Sequence, residues 1–255
     1  MAGDLLSTFT SAEIKRASQQ QLCSTTLVAV LSPASGNPRP VLPVPSAVNS
    51  IAQCRPYFEL LSKTIRSLPF EQVERVSEIL VRAYEQQRTI FLFGNGGSAA
   101  LASHFACDLS KGTVNGSTKR FRVMALTDNV PLMTAWANDS KYEDIFAEQL
   151  ANFATRGDVA LAISASGNSP NVIKALKVAK QAGSVTAGLT GFAGGRMLAL
   201  CDACIVVPCD NMQIIEDLHL CVTHSLFTCI RSRICNGNTG SIALGPRLVK
   251  RTTVR

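Results

Sequence analysis

Apolar, β-prone runs recur five times along this chain, at Thr89–Phe93, Phe121–Leu126, Val159–Ser164, Val185–Leu189 and Ala203–Val207. Segments with helical spacing separate and follow them: Ser98–Ser110, Pro131–Leu150 with a break, Pro170–Ala182, Gly195–Leu200 and Met212–Ile230. Strands apolar on both faces and alternating with helices predict a parallel sheet covered on two sides. The expected fold is therefore α/β, a five-stranded parallel sheet, doubly wound, with ligands at the carboxyl ends of the strands. Two more apolar patterns precede the first strand. Ile51, Tyr57, Phe58, Leu61, Ile65 and Leu68 form one; Val73, Val76, Leu80 and Tyr84 form the other, beyond Pro69. They predict two N-terminal helices, whose apolar faces suit oligomer contacts and ordinary core packing equally well.

Both ends differ from this body. Residues 1–49 are rich in Ser, Thr, Gln and Pro and predict a flexible extension, because such a segment buries too little apolar surface to order itself. The folded domain is expected over residues 50–232, with a basic tail at 233–255. The formal charge of +7 does not mark a nucleic-acid-binding face. Residues 231–255 hold six Arg or Lys and no acid, whereas residues 50–230 hold 16 basic and 16 acidic side chains. No nucleic-acid partner is expected. No apolar run reaches the roughly 18 residues that span a membrane, and the patch Thr26–Leu31 is too short for an export signal. Cys107, Cys201, Cys221 and Cys229 lie in apolar or helical stretches and read as small hydrophobes. Cys201 and Cys204 have no second Cys pair at zinc-ribbon spacing. A reducing, cytoplasmic compartment fits this usage.

Two loops have the composition of phosphate cradles. Gly94-Asn95-Gly96-Gly97-Ser98 links the first strand to its helix, and Ser164-Ala165-Ser166-Gly167-Asn168-Ser169 precedes a helix begun by Pro170. Unpaired N–H groups and the helix dipole favour an anion there, glycine lets the backbone approach it, and serine hydroxyls donate to it. Either loop alone reads equally well as an ordinary strand-to-helix turn; the pair is harder to dismiss. Gly94, Gly96 and Ala99 also fit a dinucleotide fingerprint, but no acid stands about 20 residues on to hold the ribose.

The chain has three histidines. His104 and Asp108 are spaced i, i+4 on one helix; Glu216 and His224 share a face of the last helix, and His219 lies off that face. If the two helices pack side by side, two imidazoles and two carboxylates converge. Such a set suits a divalent transition metal such as zinc, and equally suits proton transfer. Each histidine taken singly also reads as a satisfied helix residue.

GNGGSAALASHFACDL, ALTDN, ANDSKYEDIFAEQL, GDVALAISASGNSPNVIKAL, GLTGFAGGRM and EDLHLCVTH, in that order, resemble the sugar isomerase (SIS) domain. Within it they resemble the phosphoheptose isomerases, which convert sedoheptulose 7-phosphate to glycero-manno-heptose 7-phosphate. The resemblance implies an SIS-type, flavodoxin-like α/β/α fold and a homo-oligomer, a tetramer, acting on a phosphorylated sugar. By motif it implies that Asn95, Gly96 and Gly97 hold substrate, as do Asn138 and Asp139. Ser164, Ala165, Ser166 and Ser169 would hold the sugar phosphate. His104, Asp108, Glu216 and His224 would be the ligands of one zinc ion. Asp108 and Glu216 would also touch substrate, and Asp108 and His224 would be the acid/base pair working through an enediol. Three positions depart from the pattern: Asp108 replaces the usual Glu, Glu216 the usual Gln, and Ala165 a Thr or Ser. A phosphosugar-binding regulator on the same domain, acting through protein partners, is the alternative; it would need the loops but not the four metal-capable side chains in register.

Overall fold

The structure, a computed structural model, describes residues 50–236 except 115, 117 and 118. The expected extension at 1–49 and most of the expected basic tail lie outside the described residues. The unit that begins at Pro56 carries the sheet and all its covering helices.

Helices α1 (Ser50–Ile65) and α2 (Phe70–Glu85) come first, separated by Pro69, which stands at the N-cap of α2. The alternation then follows. β1 (Thr89–Gly94) leads to α3 (Gly97–Gly112), and β2 (Arg122–Ala125) to α4 (Val130–Asp139). A 3-10 turn (Tyr142–Asp144) and α5 (Ala147–Phe153) precede β3 (Val159–Ile163), which leads to α6 (Pro170–Gln181). β4 (Val185–Thr190), a 3-10 turn (Gly195–Met197), β5 (Ala203–Val206) and α7 (Met212–Asn236) complete the unit.

All pairings are parallel, in the order β2-β1-β3-β4-β5. Period-two alternation assigns strand side chains to opposite faces. Ile90, Leu92, Leu161 and Leu189 join a core with α2, α3 and α7, whereas Phe91, Phe93, Ala160 and Ala162 join one with α5 and α6. A sheet buried on both faces by helices is the expected doubly wound architecture. Because β1 is flanked by β2 on one side and β3 on the other, the crevice outside the ends of β1 and β3 is the topological switch point, where ligands bind in such sheets.

Four expectations need correction. β2 is not apolar on both faces: as an edge strand it leaves Met124 42% exposed. Gly195–Leu200 forms only one 3-10 turn, since Gly194 and Gly195 both sit at positive φ. The last helix runs on to Asn236, so the boundary expected after residue 232 falls inside it. Cys107, Cys221 and Cys229 are exposed rather than packed as hydrophobes. Of the two N-terminal helices, α2 is used by the core: Val76, Leu80 and Val81 are buried beneath it. α1 instead leaves Phe58 64% exposed.

Candidate active site

Both Ser/Gly/Asn loops lie at the switch point. In register, Gly94 at the end of β1 is paired with Ile163 at the end of β3, so the loops that follow start side by side. Asn95, Ser98, Ser164, Ala165, Ser166, Ser169, Met212 and Glu216 line one cavity of about 140 Å³. Glu216 comes from α7, two turns before His224, and comes close to Gly97: a Cβ there would stand 3.2 Å from the Glu216 carboxylate. The second loop is braced from behind. The Gly191 N–H donates to the Ala165 carbonyl at 2.9 Å, and the Met197 N–H donates to the Gly167 carbonyl at 3.0 Å. Ser164 and Ser169 hydroxyls lie 3.3 Å apart. Ala165 packs with Val207, Ile214, Ile215 and Leu218, so at this departure the loop loses a hydroxyl and gains apolar anchoring.

A second cavity, about 240 Å³, shares Ser98 and Glu216 with the first and reaches Gly97, His104 and His219. At its far end α3 and α7 bring three of the four expected metal ligands together. His224 Nε2 is 3.3 Å from His104 Nε2, and Asp108 Oδ2 is 3.6 Å from His104 Nε2 and 4.0 Å from His224 Nε2. One ligand atom from each of these residues falls within 4.8 Å of the others. Tetrahedral zinc with Zn–N bonds of about 2.05 Å separates two ligand nitrogens by about 3.3 Å. The facing imidazoles already have that spacing, so the donor set fits a cation. Glu216 does not belong to this group; it lines both cavities, on the side of the Ser loop.

His219 behaves as its offset on the helix suggested. It is buried, its Nε2 is 3.1 Å from the Thr190 carbonyl, and burial pushes its pKa down to about 4. Asn138 and Asp139 end α4; the Asn138 amide donates to Asp139 at 2.8 Å, and neither residue lines the two cavities. Two polar residues of the site escaped the sequence reading. Asn171, 2% exposed near the start of α6, pairs with Asn95 through both amide groups at 2.8 and 2.9 Å. Tyr142 donates its hydroxyl to Asn95 at 3.2 Å. Neither lies in a Gly/Ser loop, and the 76-residue gap between Asn95 and Asn171 hides the pair from any local pattern.

Strand order, loop positions and the His/Asp/His cluster define a class: a doubly wound α/β domain with an anion-type ligand cleft beside a metal-capable centre. The SIS domain model matches residues 56–191, and the chain belongs to that family. A phosphoheptose isomerase from Aliarcobacter butzleri is 40% identical over 168 residues, covering 66% of this chain and 88% of that protein. One from Helicobacter pylori is 38% identical over 180 residues, covering 71% and 93%. The structure of a phosphoheptose isomerase from Neisseria gonorrhoeae superposes with a TM-score of 0.67 at 28% identity, covering 73% of this chain and all of that one.

Proposed function

We propose that this protein is an aldose–ketose isomerase that converts sedoheptulose 7-phosphate to D-glycero-D-manno-heptose 7-phosphate. The observation that carries the proposal is the adjacency of the two cavities: the Ser/Gly cradle shares Ser98 and Glu216 with a second cavity that reaches His104 of the His/Asp/His cluster. A pure phosphosugar binder has use for the cradle and none for the cluster. The relatives named phosphoheptose isomerase support the same reading.

In this reading Ser164, Ser166 and Ser169, with the backbone N–H groups at the start of α6, hold the phosphate. Asn95, Gly96, Gly97 and Glu216 hold the sugar next to them; Asn138 and Asp139, which line neither cavity, are added to the substrate contacts on the family resemblance alone. His104, Asp108 and His224 hold the zinc ion, with Glu216 as the fourth ligand if its side chain swings toward them. The ion, when bound, polarises the carbonyl and hydroxyl oxygens of the substrate. Asp108 and His224 are the acid/base pair that moves the proton between C1 and C2 through an enediol. A cytoplasmic homotetramer completes the proposal; among the described residues, no helix is long and apolar enough to cross a membrane. Incubating the zinc-loaded protein with pentose, hexose and heptose phosphates tests it. The heptulose phosphate is expected to turn over fastest, and failure to isomerise any of them refutes the enzyme reading.

A further inference from the structure

An asparagine amide carries two N–H donors and an oxygen with two acceptor sites. Asn171 uses its own amide in a way that fixes its orientation. Its Oδ1 accepts the Val172 backbone N–H at 3.0 Å, so oxygen and nitrogen cannot be exchanged without losing that bond. The same Oδ1 accepts one N–H of Asn95 at 2.9 Å, and the Asn171 Nδ2 donates back to Asn95 Oδ1 at 2.8 Å. Tyr142 supplies the second donor to Asn95 Oδ1 at 3.2 Å. Both acceptor sites of Asn95 and one of its donors are thereby used. Among the described residues, what remains is a single N–H, on a residue that lines the cavity with Ser164, Ser166 and Ser169.

We propose that Asn171, assisted by Tyr142, is a positioning residue that clasps the two substrate loops together and sets Asn95 as a donor-only group toward a substrate oxygen. The proposal rests on the isomerase reading of this site. Asn95 belongs to the loop after β1, and Asn171 is the second residue of the helix after β3, so the amide pair spans the switch point. The pair fixes both the separation of the loops and the polarity that Asn95 presents. An oriented N–H suits an oxygen that gains negative charge as an enediol forms, because its orientation is set before the reaction begins. A clasp of this kind also makes the sugar-binding loop depend on the phosphate-binding loop.

Asn171→Asp tests the clasp. The carboxylate keeps an acceptor for the Val172 N–H near a helix start, where negative charge is favourable, but supplies no donor to Asn95 Oδ1. With sedoheptulose 7-phosphate, kcat/KM is expected to fall between about tenfold and a hundredfold, the scale of a misplacement near 1 Å. Inhibition by inorganic phosphate, held by the second loop, is expected to weaken by no more than about threefold, the scale of the added negative charge, since that loop keeps its own donors. Tyr142→Phe, which alters a side chain 57% exposed, is expected to lower kcat/KM about threefold through loss of one hydrogen bond. An unchanged kcat/KM in Asn171→Asp overturns the proposal, as does a parallel loss of phosphate inhibition, which would mark a general structural defect. If Asn171→Asp does not fold, Tyr142→Phe decides by the same criteria. Should the wild-type protein lack turnover, the isomerase reading falls. The clasp is then judged by calorimetry with sedoheptulose 7-phosphate and inorganic phosphate: selective weakening of the sugar phosphate supports it, and equal affinities in wild type and variant overturn it.

Discussion

Gly167→Ala perturbs, at its tightest point, the loop proposed to hold phosphate. Gly167 has φ +63°, and a Cβ built on it would stand 2.1 Å from the Gly194 carbonyl oxygen and 2.8 Å from Thr190 Oγ1. The left-handed conformation costs an L-residue about 1–2 kcal/mol. Relief of the contact requires the loop or the Gly194 backbone to move by about 1 Å, because ordinary carbon–oxygen contacts begin above about 3 Å. Together these give a destabilisation of about 3 kcal/mol, at the upper end of ordinary point substitutions. For a domain of this size each kcal/mol shifts Tm by about 2–4 °C, so Tm should fall by about 6–12 °C. The same movement carries Ser166 and Ser169 with it, and kcat/KM for the phosphosugar should fall by about a hundredfold. Differential scanning calorimetry and steady-state kinetics measure the two effects. A Tm within about 2 °C of wild type with unaltered kcat/KM would refute the argument, because it would mean that the loop accommodates a side chain at no cost.

His224→Ala should abolish turnover, by at least about a thousandfold as for loss of a general acid or base, while leaving phosphosugar binding largely intact; loss of all binding in calorimetry would show that the roles are misassigned. Glu216→Gln removes a negative charge from the cavity lined by Ser164, Ser166 and Ser169, and phosphate inhibition should tighten roughly threefold, the scale of one solvent-screened repulsion. His219 gives a pH signature in stability. Its pKa of about 4 lies below the unfolded value near 6.5, so the unfolded chain binds the extra proton between these limits. Its full contribution is present above pH ~6.5 and is lost progressively as pH falls toward 4, a change of about 3 kcal/mol. His219→Gln should flatten the dependence of Tm on pH in that window, and an unchanged slope would contradict the assignment.

The fold was legible because its signals are local and redundant. Five apolar runs alternating with helices specify a parallel sheet, and the Gly/Ser loops mark where strands hand over to helices. Strand order was not legible: nothing within Arg122–Ala125 says that it is an edge strand, which is why the exposure of Met124 was missed. The i, i+4 spacing of His104 and Asp108 and the position of His224 were enough to expect a cluster, and the packing of α3 against α7 supplies it. Glu216 shows the limit of helix-face reasoning. Eight residues put it on the same face as His224, but the two turns of rise between them carry it to the Ser-loop side. Asn171 and Tyr142 were invisible because their role exists only across the switch point, in hydrogen bonds to a residue distant in sequence.

Turnover of sedoheptulose 7-phosphate before chelation, after chelation and after zinc is restored tests the central claim most directly, followed by NMR of the sugar anomeric signals. The account predicts formation of the aldose 7-phosphate by the zinc-loaded protein, its loss on chelation, and its recovery when zinc returns. A fully metal-loaded protein that forms no aldose, or a turnover indifferent to chelation, would contradict the assignment of His104, Asp108 and His224 to a metal centre serving the phosphosugar site.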